Sequence, residues 1–154
     1  MTDDANKTLV LPNFLPYKLA VLSNRISRGI ADQYEERFQL TVPEWRVMAV
    51  LGGEPDLSAS QVADRTAMDK VAVSRAVKGL MKADRLLRHF SATDKRRSVL
   101  KLSDSGEVIY AQVVPIAIDY EDAILNELTK EEQSQLNVLL NKLQDIEINT
   151  AHPV

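Results

Sequence analysis

Eleven of the nineteen lysine and arginine residues lie between Ser58 and Leu102, where only four residues are acidic. This segment therefore carries a charge of +7 in a chain whose net charge is −3. A cationic region on an otherwise anionic protein is typical of a binding site for a polyanion such as a phosphate backbone. Runs of charge also occur on surfaces that are only solvated, so the arrangement of these cations has to decide between the two interpretations.

The residues from Lys70 to Asp84 have the periodicity of an amphipathic helix, with Asp69 as its N-cap. The predicted buried face consists of Val73, Ala76, Val77, Leu80 and Met81. The opposite face presents Val71, Arg75, Lys78 and Lys82, with Ser74 at its flank. Such a face suits a major groove, because arginine can read guanine with two hydrogen bonds and a valine methyl can contact a thymine methyl. The alternative is a solvated helix face that carries three cations.

A shorter helix precedes this one. Ser58 and Gln61 have the spacing of a capping box, and Val62 and Ala63 face inward in a helix that ends near Met68. Two helices joined by a turn of three or four residues have the spacing of a helix-turn-helix. The candidate DNA-binding residues at the starts of the two helices are Ser58, Ser60, Gln61 and Lys70.

A hairpin with a basic tip follows the two helices. Residues 86–90 and 98–102 have strand character and flank a polar loop, residues 91–97. Within the loop, we expect Asp94 to orient a guanidinium by a bidentate pair and Arg96 to enter a narrow minor groove. Lys95 and Arg97 would bind phosphates. The alternative is a mobile charged loop without a binding role.

The flanking segments carry further amphipathic helices. An apolar arm over residues 9–16, extended because Pro12 and Pro16 interrupt it, leads into a helix that ends near Phe38. Thr41 caps the next helix, Ser103 caps the helix after the hairpin, and Thr129 caps the last helix. The first helix and the last two have apolar stripes that a small DNA-binding lobe does not need, which favours a homodimer. In the last helix the stripe is Leu136, Leu139, Leu140, Leu143 and Ile146.

Several classes of site are excluded or disfavoured. The chain has no cysteine, so it has no disulfide, thiol sensor or thiolate metal site, and His89 and His152 are its only imidazoles. Its five glycines form neither a phosphate-binding loop nor a nucleophile elbow. We therefore expect no catalytic residues, no metal site and no cofactor. No apolar run is long enough to span a membrane, and the acidic N-terminus is unlike a secretory signal, so we expect a cytoplasmic protein without a membrane partner.

The chain resembles the MarR family of winged helix-turn-helix transcription regulators. The resemblance lies in Glu44-Trp45-Arg46-Val47, the run from Asp69 to Arg75, the Asp94-x-Arg96-Arg97 signature, and Leu102-Ser103-x-Ser105-Gly106. It implies a mainly α fold with a small β-hairpin wing: an arm and first dimerisation helix over 1–40, a winged helix-turn-helix domain over 41–103, and C-terminal dimerisation helices over 104–154. In the family a glycine commonly precedes the first wing strand, and here Arg85 stands in its place.

The resemblance also implies an obligate homodimer that binds a pseudo-palindromic operator in double-stranded DNA and usually represses transcription. Such regulators are commonly released by a small, often aromatic anion. Tyr17, Trp45 and Arg46 are candidates to line its site, with Arg25 and Arg28 as anion partners. Alternatively, Trp45 is a core residue and Arg46 forms a structural ion pair. Without cysteine, the chain cannot be a thiol-based peroxide sensor of this family.

The sequence thus predicts a sequence-specific, dimeric DNA-binding repressor. A non-specific nucleic-acid-binding or architectural protein would use the same basic face, but it would bind random duplex nearly as well as any chosen site. A catalytic module built on a winged helix would need a cluster of carboxylates or a His/Ser pair in a buried crevice.

Overall fold

The computed structural model describes residues 8–146. Six α-helices and one two-stranded antiparallel hairpin follow one another in the predicted order. Their bounds are α1 Leu15–Phe38, α2 Val42–Gly53, α3 Ala59–Thr66, α4 Lys70–Lys82, β1 Leu86–Phe90, β2 Ser98–Leu102, α5 Asp104–Leu125 and α6 Lys130–Gln144. The predicted fold class, mainly α with a small hairpin wing, is confirmed.

Local capping starts most of these helices where the sequence predicts them. Reciprocal capping boxes form at the starts of α2, α3 and α6, with Thr41, Ser58 and Thr129 as the N-caps. The Ser103 hydroxyl accepts the Gly106 N–H at 3.0 Å at the start of α5. Each of these bonds satisfies a backbone donor that the helix itself leaves unpaired, and so defines where the helix begins.

Two compact units divide the chain, and the division falls after Ala117 within α5. In the first unit, the C-terminal part of α1, helices α2 to α4, the hairpin and Val113 of α5 enclose one apolar core. Trp45 lies on this core between Tyr34 and Tyr110, with its ring centroid 6.0 Å from that of each tyrosine. The prediction that Trp45 is a core residue is therefore compatible with the structure, although one side of the ring borders a crevice.

The hairpin is joined to the core by its register and by a third backbone segment. Leu86 pairs with Leu102 and Phe90 with Ser98, so Leu86, Leu100 and Leu102 face the core. On the outer edge of β2, Leu57 forms a bridge to Leu100. This bridge ties the wing to the loop between α2 and α3.

The turn between α4 and β1 explains why the chain needs no glycine there. Asp84 takes the left-handed conformation with φ 57°, which an aspartate tolerates better than most residues. The hydroxyls of Ser103 and Ser105 donate to the Asp84 carbonyl oxygen at 2.5 and 2.6 Å. Arg85 donates to the carbonyl oxygens of Phe38 and Gln39, at the C-terminal end of α1. The guanidinium thereby binds carbonyls that α1 leaves unpaired.

Two local predictions are wrong. The arm preceding α1 is not fully extended, because residues Leu11–Asn13 form a 3-10 turn whose second residue, Pro12, has a φ that suits it. Met81 is 36% exposed and does not share the buried face of α4. The apolar stripes of the N-terminal half of α1 and of α6 are exposed in the single chain, as expected for stripes that the DNA-binding lobe does not need. No helix between residues 8 and 146 is long and apolar enough to cross a membrane.

Candidate nucleic-acid interface

Helix α4 turns its basic side outward. Lys70, Ser74, Arg75, Lys78 and Lys82 are exposed, and Val71 is 59% exposed. On the opposite side, Val73, Ala76, Val77 and Leu80 are buried, as the sequence predicts. The Asp69 carboxylate accepts the Ala72 N–H at 2.8 Å and so caps the helix. The exposed N-terminal half of α4 therefore combines a guanidinium, a hydroxyl and a branched apolar side chain on a rigid element.

The hairpin tip is a tight turn closed by backbone bonds. The Ser91 N–H donates to the Arg97 carbonyl at 2.8 Å, and the Arg97 N–H donates to the Asp94 carbonyl at 2.9 Å. The Asp94 carboxylate accepts the backbone N–H of Arg96 at 3.0 Å. The predicted pair between Asp94 and a guanidinium is therefore wrong for this structure. A carboxylate reaches the amide two residues ahead at little entropic cost, and this local bond wins over a long, exposed side chain.

The wing also contacts the helix-turn-helix directly. Arg97 donates from its Nη2 to the Gln61 side-chain oxygen, which also accepts the Ser58 N–H at 3.0 Å. Two predicted DNA-binding residues, Ser58 and Gln61, thus form the cap of α3, while Ser60 is exposed beside them. The structure brings Gln61 and Arg97 together, a contact that linear spacing does not reveal.

The positive charges of α4 and of the hairpin tip are not neutralised by carboxylates of the described residues. Within residues 8–146, carboxylates pair with Arg28, Arg65 and His89 and with no lysine or arginine of α4 or of the hairpin tip. The Arg65 guanidinium lies 2.5 and 2.7 Å from the two carboxylate oxygens of Glu54 and lowers the pKa of that carboxyl. The cations that the sequence predicts to meet phosphate are therefore available for an external anion.

A crevice of about 580 Å³ opens between α1, α2 and the end of α3. We call it the α1–α2 crevice; Ser27, Trp45, Arg46 and Arg65 contribute to its lining. Arg46 donates from Nη2 to the Ser27 hydroxyl at 3.1 Å and forms no ion pair among the described residues, so the predicted structural ion pair is wrong. Ser27 lies on the polar side of α1 and supplies a partner that is not charged.

The other effector candidates lie elsewhere. Tyr17 and Arg25 line a groove of about 230 Å³ near the start of α1. Arg28 pairs with Asp32 at 3.0 Å and with Glu35, and the two carboxylates raise its pKa. Of the five predicted effector residues, only Trp45 and Arg46 thus share the α1–α2 crevice. Sequence reasoning missed Ser27 and Arg65 in its lining, although Ser27 follows Ser23 and Asn24 at helical spacing on one polar side of α1.

Beside the α1–α2 crevice, burial raises the pKa of Tyr34 to about 12. In the part of the chain that the structure describes, no three histidine or acidic side chains lie close enough together to hold a metal ion. The lining of the crevice offers hydrogen-bond donors from Arg46 and Arg65 and an aromatic wall from Trp45.

Comparison with known proteins identifies the fold and shows which family model the DNA-binding part of the chain matches. Residues 38–97, which include α2 to α4, the first wing strand and the hairpin tip, match the family model described as MarR family. The chain is 25% identical over 143 residues to the HTH-type transcriptional regulator MgrA of Staphylococcus aureus, and the match covers 93% of each chain. The segment from residue 38 to residue 97 is of the MarR type. The chain is a transcriptional regulator of MarR type, as the sequence predicts.

Solved MarR-family structures share its architecture. A MarR/EmrR family regulator from Acinetobacter sp. ADP1 superimposes with a TM-score of 0.80 at 28% identity, covering 89% of this chain and 96% of that chain. BpsR of Bordetella bronchiseptica, whose DNA binding is regulated by 6-hydroxynicotinic acid, superimposes with a TM-score of 0.77 at 19% identity. The match covers 91% of this chain and 99% of that chain. The second likeness concerns the fold alone.

Proposed function

We propose that this regulator of MarR type binds double-stranded DNA as a homodimer and acts as a sequence-specific repressor. The observation that carries the proposal is the exposed basic side of α4 beside the exposed basic tip of the wing, with no carboxylate partner for either among residues 8–146. Such surfaces bind phosphates by releasing condensed counterions, so affinity depends steeply on salt.

Discrimination between sequences would come from a small part of this surface. Arg75 has the reach and the two parallel donors to read guanine, Val71 can contact a thymine methyl, and Ser74 can bond either a base edge or a phosphate. Arg96 is exposed at the tip, and its guanidinium is available for a minor groove, where A·T-rich sequence attracts arginine. Lys70, Lys78, Lys82, Lys95 and Arg97 would bind phosphates and set the register.

The apolar faces outside the lobe support the homodimer. Leu19 and Leu22 on α1 are 43% and 54% exposed, and Leu139 and Leu143 on α6 are 58% and 42% exposed. A second copy related by a two-fold axis can cover all of these side chains, because each copy contributes the same apolar stripes to the interface. The flanking segments 1–40 and 104–154 would then form the dimer. Two winged lobes would read half-sites about 34–36 Å apart, one turn of a pseudo-palindromic operator.

The α1–α2 crevice supports control by a small effector. Arg46 and Trp45 together suit an aromatic anion, because the guanidinium can bind a carboxylate while the indole contacts the ring. An anion that bonds Arg46 would replace its hydrogen bond to Ser27 and so act on the packing of α1 against α2.

The test is a fluorescence anisotropy titration with a duplex selected by the protein from a random library, and with a shuffled duplex of the same composition. We expect the selected duplex to bind at least about 10³-fold more tightly. Affinity should fall about 10³-fold or more between about 50 and about 200 mM salt, as expected for six to ten phosphate contacts. Equal affinity for both duplexes would instead favour a non-specific or architectural protein.

A further inference from the structure

The wing is attached to the loop that precedes α3 by backbone bonds. The Leu100 N–H donates to the Leu57 carbonyl at 2.8 Å, and the Asp56 N–H donates to the Leu100 carbonyl at 2.9 Å. The loop thus forms an isolated β-bridge with the outer edge of β2. Because only these two bonds form the bridge, the backbone alone gives the hairpin a narrow attachment.

A side-chain contact extends this attachment to the far strand. His89 of β1 pairs with Val99 of β2, and its Nε2 lies 2.9 Å from a carboxylate oxygen of Asp56. The contact therefore reaches across β2 and joins the loop to β1. Val99, which lies between, is only 3% exposed.

Within residues 8–146, Asp56 is the polar partner of the His89 imidazole. His89 Nδ1 is buried and has no hydrogen-bond partner among the described residues, so Asp56 provides the polar contact of the ring. Asp56 itself takes the left-handed conformation with φ 64°, which turns the loop toward the wing. An aspartate or asparagine tolerates this conformation, whereas most other side chains are strained in it.

We propose that Asp56 and His89 clamp the wing hairpin to the loop before α3 and so hold the basic tip in place relative to α4. His89 is then a positioning residue for the wing, and this inference rests on the proposed function. A tip that is held in place before binding loses less conformational entropy when it enters a groove. This smaller entropy loss strengthens DNA binding. The Arg97–Gln61 contact holds the end of β2 that is next to the tip, whereas the Asp56–His89 contact holds β1.

The first measurement uses the free full-length protein at one pH. Hydrogen exchange of the Asp56 and Leu100 amides reports on the bridge, and exchange within the β1–β2 ladder is the internal control. We expect His89→Ala to speed exchange of the two bridge amides by about threefold to tenfold, a modest factor because both side chains are partly exposed. Leu87→Ala, an exposed position on the same strand, should leave it unchanged.

Conservative variants separate the side-chain contact from the loop conformation. His89→Gln keeps a donor that can reach Asp56, and Asp56→Asn keeps both an acceptor and the tolerance of a left-handed φ. We expect these two variants to restore most of the slow exchange. Exchange as fast as in His89→Ala in both of them would overturn the clamp as the cause.

The second measurement is a pair of double-mutant cycles on the selected duplex. His89→Ala should weaken binding by about threefold to fivefold on its own, and should cost clearly less when Arg96 is already alanine, because only the phosphate contacts of Lys95 and Arg97 then still depend on the position of the tip. Combined with Arg75→Ala, it should cost the full factor again, because Arg75 lies on α4 and not on the wing. Equal losses in both backgrounds would overturn a role through the tip.

The two proposals fail in distinguishable ways. If the wild-type protein discriminates no duplex, the proposed function fails, while hydrogen exchange still decides whether the clamp exists. If the wild-type protein binds as proposed but His89→Ala leaves both exchange and affinity unchanged, the clamp is overturned and the proposed function stands.

Discussion

The winged lobe and the flanking helices bury their apolar side chains to very different extents. In the lobe, Val47 and Met48 are 0% exposed and Leu80 is 1% exposed, whereas on α6 Val138 is 61% and Leu139 is 58% exposed. The lobe therefore closes its core within one chain. The helices outside it carry equally apolar stripes that need a second surface, and exposed apolar patches of this kind mark interaction sites. The winged lobe is thus a folded DNA-binding unit within one chain. We propose that the flanking helices bury their apolar stripes only in the dimer.

The largest effect should follow from opening the lobe core. Leu80→Ala removes a side chain that is 1% exposed and should lower the free energy of unfolding by about 2–5 kcal/mol, because it deletes apolar contacts and leaves a cavity. Urea unfolding followed by circular dichroism measures this. Met81→Ala, at a 36% exposed neighbouring position, is the control and should cost far less. Similar losses for both would contradict the assignment of Leu80 to a closed core.

A charge on the α6 stripe should break the proposed dimer and spare the lobe. Leu139→Glu places a carboxylate on the stripe, and its desolvation should raise the dimer dissociation constant about a hundredfold. Sedimentation velocity measures the association. Asn141→Glu adds the same charge to the other side of α6 and should leave the dimer intact. A wild-type protein that sediments as a monomer would refute the proposal that a second copy covers the apolar stripes of the flanking helices.

On the exposed side of the lobe, removing a base-reading cation should affect binding without affecting folding. Arg75→Ala should weaken binding to the selected duplex about 10- to 100-fold, and Arg96→Ala somewhat less. Anisotropy titration measures the affinity, and thermal unfolding should not change. Lys130→Ala removes the same charge from α6 as the control. Unchanged binding by Arg96→Ala would remove the wing tip from the interface.

The smallest effect concerns the cap of α3. Ser58→Ala removes the hydroxyl that accepts the Gln61 N–H at 3.2 Å and should cost about 1 kcal/mol of stability. Differential scanning calorimetry measures the change. Ser60→Ala, at an exposed position inside the same helix, should stay within about 0.5 kcal/mol. Equal effects would show that the cap contributes nothing particular to the lobe.

Features that depend on neighbours in the sequence were predictable. The capping boxes at Ser58 and Thr129, the Asp69 cap and the buried face of α4 all follow from spacings of three or four residues. The strand bounds were likewise predicted, because the alternating leucines of β2 and the polar loop are local signals. The partition of the chain into arm, lobe and dimerisation segments stays a prediction.

Features that depend on distant residues were not. The hydrogen bond from Arg46 to Ser27 and the contact of His89 with Asp56 join residues 19 and 33 positions apart. The five effector candidates share chemistry but not a location, since Tyr17 and Arg28 lie outside the α1–α2 crevice. The sequence predicts that Asp94 pairs with a guanidinium, but the Asp94 carboxylate instead accepts the backbone N–H of Arg96.

The sequence by itself determined the order of the helices and hairpin and the basic side of α4, because hydrophobic periodicity and capping act over one or two turns. Only the tertiary structure decided which apolar stripes are covered, which cations stay unpaired and which loop holds the wing. Those outcomes depend on distances between segments that meet only once the chain has folded.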